Sequence, residues 1–86
     1  MHYVYILKSN ESGKYYIGET DNTERRLKQH QAGKSSFGKR NSSLEIVYKE
    51  GVASRGEAKK LESFIKKQKS HTFIDKLIQG KIIIPL

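Results

Sequence analysis

Two short runs rich in tyrosine and β-branched residues, joined by a four-residue turn, constrain the fold of this chain more than any other feature. Residues 2–9 (His2-Tyr3-Val4-Tyr5-Ile6-Leu7-Lys8-Ser9) and residues 14–20, with Tyr15, Tyr16, Ile17 and Gly18, both have strand composition. Asn10-Glu11-Ser12-Gly13 between them is a turn cluster, with Gly13 free to take positive φ. Runs this close together pair as an antiparallel hairpin. Side chains alternate across a strand, so Tyr3, Tyr5 and Leu7 share one face of the first strand, and Tyr16 and Gly18 one face of the second. In a hairpin of odd register sum, Tyr5 and Tyr16 become neighbours on the same face. Cross-strand tyrosine pairs are common packing units, so this pair does not indicate chemistry by itself.

Downstream, local signals mark three helices and one more strand. Asp21-Asn22-Thr23 offers N-cap residues and Gly33 a C-terminal stop, which predicts a helix over Glu24 to Ala32. Leu27 is its only large aliphatic residue, so it gains little from core burial. Residues 34–43 (KSSFGKRNSS) read as a Gly/Ser loop carrying Lys34, Lys39 and Arg40. Leu44 to Tyr48 alternates as a third strand. Ser54-Arg55-Gly56-Glu57 is a capping box opening a helix to about Gln68, with Ala58, Leu61, Phe64 and Ile65 at helical spacing. Ser70 can cap a last helix through Phe73, Ile74, Leu77 and Ile78, stopped by Gly80. The order β-β-α-β-α-α predicts an α+β fold: a small three-stranded antiparallel sheet flanked by helices. Residues 1–80 form the expected domain, and 81–86 an apolar tail expected to pack as a short strand or oligomer contact.

Composition narrows the function classes. Eighty-six residues allow one small domain, and the absence of cysteine removes disulfides and Cys-ligated zinc. No stretch has the apolar length to span a bilayer, and the N-terminus lacks signal-peptide regions, so a cytoplasmic protein without membrane attachment is expected. Lys plus Arg is 17 against nine acids, a formal charge of +8. That charge attracts polyanions, with nucleic acid the commonest, although lysines also simply keep small domains soluble. His2 and His71 have no metal-ligand partner at a recognisable spacing, and Lys66 to Lys69 reads as a solvated helix end.

Chemistry is suggested by what accompanies the tyrosines. Arg26 and His30 stand at i, i+4, on one face of the first helix. Gly18 is a position where a ligand or backbone can approach closely. Glu62 borders the apolar stripe of the long helix. Glu57 lies near that stripe too, so periodicity does not choose between them; Glu57 has a capping role, while Glu62 has only a possible pair with Lys66.

The ordered set Tyr3-Val4-Tyr5, Tyr16-Ile17-Gly18, Arg26, His30 and Glu62, with the stretch ETDNTERRLKQH from Glu19 to His30, resembles the GIY-YIG nuclease superfamily. It is most similar to the small stand-alone, excision-nuclease-like members, from Tyr3 to about Ile78. The resemblance implies an endonuclease that hydrolyses phosphodiester bonds of nucleic acid, DNA foremost, in repair or recombination, with one divalent ion, Mg²⁺ or Mn²⁺. It implies that Tyr16 activates water, that Tyr5 and His30 complete the proton network, and that Arg26 binds the scissile phosphate. Glu62 would supply the sole protein ligand to the metal, and Gly18 would keep the site clear of a side chain. The first triplet departs from the family pattern, with tyrosine at the glycine position. Lys34, Lys39 and Arg40 are the expected backbone contacts. The alternative is a catalytically silent DNA- or RNA-binding module of the same fold; the intact set of five favours the enzyme.

Overall fold

The computed structural model describes residues 1–81. The expected packing of the apolar tail falls on residues 82–86, outside the described residues.

The hairpin forms as its composition dictates. Strand β1 (His2–Ser9) pairs with β2 (Tyr15–Thr20), with Gly13 in the turn at φ 74°. Tyr5 lies opposite Gly18 and Leu7 opposite Tyr16, so the two tyrosines are diagonal neighbours on one face. Strand β3 (Leu44–Val52) is longer than the expected Leu44 to Tyr48 because it pairs antiparallel along all of β1, out to His2 opposite Val52. A bulge where Ile6 pairs with Tyr48 but Leu7 with Ile46 absorbs one extra residue. The sheet order is β2-β1-β3, with β1 central.

Helix ends follow the local rules. Helix α1 (Thr23–Gln31) is capped by Asn22, which accepts from the Arg25 amide at 2.9 Å. It closes in a Schellman arrangement: the Lys34 amide reaches the Gln29 carbonyl, the Gly33 amide the His30 carbonyl, and Gly33 sits at φ 75°. Helix α3 (Arg55–Gln68) has Ser54 accepting from the Glu57 amide at 3.2 Å. Glu57 reaches back to the amide of Ala53, one residue beyond the usual capping-box partner, at 3.1 Å. Helix α4 (His71–Ile78) is capped by Ser70 and stopped at Gly80.

One expectation fails. Residues 34–43 are not a plain loop: Ser36–Arg40 form a short helix, α2, so the element order is β-β-α-α-β-α-α. Ser35 caps it, accepting from the Gly38 amide at 3.0 Å. The helix is seated by contact rather than propensity. A Cβ on Gly38 would fall 2.0 Å from the His30 carbonyl oxygen, so only glycine lets α2 lie this close on α1.

The sheet's two faces are built differently. Val4 and Ile6 pack against Ala58, Leu61 and Ile65 of α3 and Ile74 and Leu77 of α4, with Ile17, Tyr48 and Val52 at the margin. This is the apolar core. At its edge the Glu19 carboxylate holds His2 Nε2 at 3.0 Å and Arg55 Nε at 3.5 Å, tying the strand start to α3. The opposite face carries Tyr5 and α1, whose buried residues are the polar Thr23 and His30.

Glycine in an exposed helix normally gains about 1 kcal/mol on conversion to alanine. Gly38→Ala is expected to do the reverse, losing about 1–3 kcal/mol in urea unfolding, because the obstructing atom is backbone and cannot rotate away. A neutral or stabilised variant would show that α2 is not seated on His30.

Candidate active site

Strand β1, its neighbour β2 and helix α1 bring four of the sequence-identified residues together. Tyr5 and His30 are fully buried, and the Tyr5 hydroxyl lies 3.1 Å from His30 Nε2. Tyr16, half-buried, packs on both rings, with centroids 6.3 Å from Tyr5 and 4.8 Å from His30. The pattern is possible because Gly18 is bare. A Cβ there would fall 2.5 Å from the Tyr5 hydroxyl and 3.0 Å from the Tyr16 ring.

Arg26, one turn before His30, reaches the same hydroxyls. Its contact with Tyr5, more than offsetting the cost of burial, raises its pKa, and Tyr16 adds to this. Arg26 Nη1 also donates to Gln29 Oε1 at 3.0 Å, which fixes one side of the guanidinium fork. Arginine is therefore the permanent cation of the cluster, with a planar fork suited to two phosphate oxygens.

Burial decides the protonation of the other two groups. It pushes the Tyr5 hydroxyl up to about 12, against the downward pull of the Arg26 guanidinium, with Tyr16 and Glu62 adding to the rise. It pushes the His30 imidazole down to about 4, and the charge of Arg26 adds to the fall. Near neutral pH both groups are uncharged.

Glu62 comes from α3, in the opposite layer, yet its charge is felt at Tyr5. Its carboxylate is paired with Lys66 Nζ at 2.5 Å, as the helical spacing suggests, and is otherwise sheltered. No group of three or more His, Cys, Asp or Glu residues gathers among the described residues. A single hard carboxylate suits an ion such as Mg²⁺, which keeps most of its waters and takes further oxygens from a phosphate. Glu57, bound to the Ala53 amide, is occupied elsewhere.

Lys34 faces a hollow along α1 with Arg25 and Lys28, while Lys39 and Arg40 flank another with Gln31 and Leu44. Ser35 and Phe37 are neighbours of the cluster that no sequence signal singled out. Ser35 Oγ bonds His30 Nδ1 while accepting from the Gly38 amide. When its hydroxyl donates to Nδ1, the ring proton lies on Nε2, facing Tyr5. Phe37 packs on Tyr16 at 5.2 Å. Both lie in the segment that composition marked as loop; the serine one residue before Ser36, with Gly38 three on, was the available capping signal.

The depressed imidazole makes stability depend on pH in a defined direction. The folded value, about 4, lies below the ordinary 6.5, so the unfolded chain binds the extra proton between them. The stability contributed by neutral His30 is complete above 6.5 and is lost as pH falls toward 4. About 2 kcal/mol is expected to disappear between pH 7 and pH 5 in urea unfolding, relative to a His30→Gln variant. The His30 ring signal in NMR is expected to titrate near 4; a midpoint above 6 would refute the buried neutral imidazole.

Among known proteins, the chain matches the GIY-YIG catalytic domain over residues 1–75. It is 39% identical over 66 residues to a UPF0213 protein of Staphylococcus haemolyticus, covering 76% of this chain and 79% of that protein. It is 35% identical over 68 residues to a UPF0213 protein of Streptococcus pneumoniae, covering 78% and 68%. The solution NMR structure of a UPF0213 protein from Bacillus halodurans superimposes with a TM-score of 0.58 at 31% identity, over 93% of this chain and 84% of that one. Fold, clustered motif residues and relatives agree: the chain belongs to the GIY-YIG catalytic domain family.

Proposed function

We propose that the protein is a metal-dependent endonuclease that hydrolyses phosphodiester bonds of nucleic acid, with DNA the substrate class its family resemblance implies. The observation that carries this reading is the convergence of the Tyr5 and Tyr16 hydroxyls, the His30 imidazole and the Arg26 guanidinium in one cluster that also feels Glu62.

Each residue has a task that follows from its surroundings. Arg26, between the two hydroxyls, binds the non-bridging oxygens of the scissile phosphate and offsets the charge that builds there. Tyr16, the less buried tyrosine, activates the attacking water. Tyr5, held neutral by burial, serves as a hydrogen-bonding group and not as the base. His30, neutral and fixed through Ser35, holds Tyr5 and passes protons without adding charge. Glu62 would hold the divalent ion, Mg²⁺ or Mn²⁺, once freed from Lys66. When bound, that ion would polarise the phosphate and stabilise the leaving oxygen. Lys34, Lys39 and Arg40 would contact the flanking backbone from both sides of α2.

A second reading has one observation in its favour. Lys66 neutralises the Glu62 carboxylate at 2.5 Å, which is the pairing expected of a module that holds nucleic acid without cutting it.

Cleavage of labelled duplex, single-stranded and branched DNAs in Mg²⁺ or Mn²⁺ separates the two. Glu62→Ala, Arg26→Ala and Tyr16→Phe, each confirmed folded by circular dichroism, are expected to lose roughly 10²-fold or more in rate. No cutting by the wild type, with salt-sensitive binding that survives Glu62→Ala, would establish the silent module instead.

A further inference from the structure

A groove of about 580 Å³ opens beside the catalytic cluster, between α2 on one side and the end of α3 with the start of α4 on the other. Its size is that of ordinary small-molecule sites, roughly 300–1,000 Å³. Ile17, Ile65 and Ile74 give it an apolar floor, and Phe37 an aromatic wall. Arg40 and Lys69 also line it, and among the described residues no carboxylate does.

The groove adjoins the catalytic residues on both sides. Phe37, in its wall, packs on the Tyr16 ring at 5.2 Å. Lys66, also lining it, is the residue paired with Glu62. A molecule in the groove would therefore be in contact with neighbours of both the proposed water-activating residue and the proposed metal ligand.

The lining selects the occupant. A bare phosphate gains nothing from an isoleucine floor, and an uncharged apolar group gains nothing from the lining cations. A flat, largely apolar body with an anionic group beside it satisfies both, and that describes a nucleotide. We infer that this groove receives the base of the nucleotide adjoining the scissile phosphate, laid against Phe37, with its next phosphate held by Arg40 and Lys69. The inference rests on the nuclease reading for the word scissile, but the groove's chemistry does not. A base stacked within a duplex cannot enter, so the nucleotide at this place must leave the stack, whether extruded or already unpaired.

Binding in EDTA tests this without any cutting. A fluorescein-labelled DNA trinucleotide is compared with a fully abasic trinucleotide of the same charge, with ¹⁵N-labelled protein followed in parallel. The expected result is roughly 5- to 100-fold weaker binding of the abasic probe, the range that base–aromatic stacking gives. Amide signals of Phe37, Ile65 and Ile74 are expected to shift with the base-bearing probe alone. Phe37→Leu, which keeps an apolar side chain against Tyr16, is expected to erase most of the difference between probes. Arg40→Ala, at an exposed position, is expected to weaken both probes equally. Equal affinity for the two probes, or shifts confined to α1 and Tyr16, would overturn the groove assignment even in a protein that cuts DNA. Base-dependent binding at Phe37 in a protein that cuts nothing would support the groove and overturn the nuclease reading alone.

Discussion

The contact on which the rest depends is the buried bond between the Tyr5 hydroxyl and the His30 imidazole. Helix α1 has almost no apolar face with which to dock, and its buried residues are Thr23 and His30. It is held to the sheet by polar groups that must satisfy one another. A single hydrogen bond of this kind contributes about 1 kcal/mol net, whereas leaving one of its buried partners unmatched costs about 1–3 kcal/mol. The face is therefore specific more than it is strong. Ser35 closes the remaining imidazole valence, and Gly38 brings Ser35 within reach by letting α2 rest on the His30 carbonyl. Docking of α1, folding of α2 and orientation of the ring are one event, while the apolar core under α3 and α4 carries the bulk of the stability on the other face.

That division also sets the electrostatics. Burial drives Tyr5 and His30 in opposite directions on the pH scale, to about 12 and about 4, and the result is the same for both: neither is charged near neutrality. Arg26 is then the one fixed cation against the hydroxyls, and its attraction is not cancelled by an adjacent tyrosinate at Tyr5 or shared with an imidazolium at His30. A cluster of this design concentrates positive charge at one point while its neighbours offer hydrogen bonds. In a chain of net charge +8, a polyanion is drawn to the surface generally, and Arg26 adds a fixed charge at the tyrosine cluster.

What the sequence made legible were the features decided within a few residues. The hairpin follows from alternation and Gly13, and the caps at Asn22, Ser54 and Ser70 follow from short polar side chains three residues before an amide. Strand and helix periods pair Tyr5 with Tyr16 and Arg26 with His30, and the resemblance to the GIY-YIG superfamily joined the two pairs into one set. Helix α2 was not legible, because a five-residue segment with a central glycine and flanking serines has no propensity to be helical. Its reason for folding is the carbonyl of His30, eight residues away in sequence and in contact in space. The choice between Glu57 and Glu62 was likewise closed to periodicity. The capping role of Glu57 and the resemblance singled out Glu62, and Glu57 is indeed bound to the Ala53 amide. Lys34, Lys39 and Arg40 read as a single basic loop because the turn of α2, which divides them, was unseen.

Sheet order sets how α3 and the two tyrosines stand relative to one another. Tyr5 stands on the central strand, on the face turned away from α3, and a residue of α3 has no path to it through the pleat. Strand β2 is the edge, and α3 packs against it as well as against β1. The charge of Glu62 is nonetheless felt at Tyr5. Among the described residues no strand pairs beyond β2, and open edges of this kind recruit other strands. Here α3 on one side and Phe37 of α2, packed on Tyr16, on the other flank the edge without bonding to its backbone row. The groove between α2 and α4 lies against Ile17 of β2 and beside Phe37, which packs on Tyr16, so it opens at the same sheet edge as the tyrosine cluster.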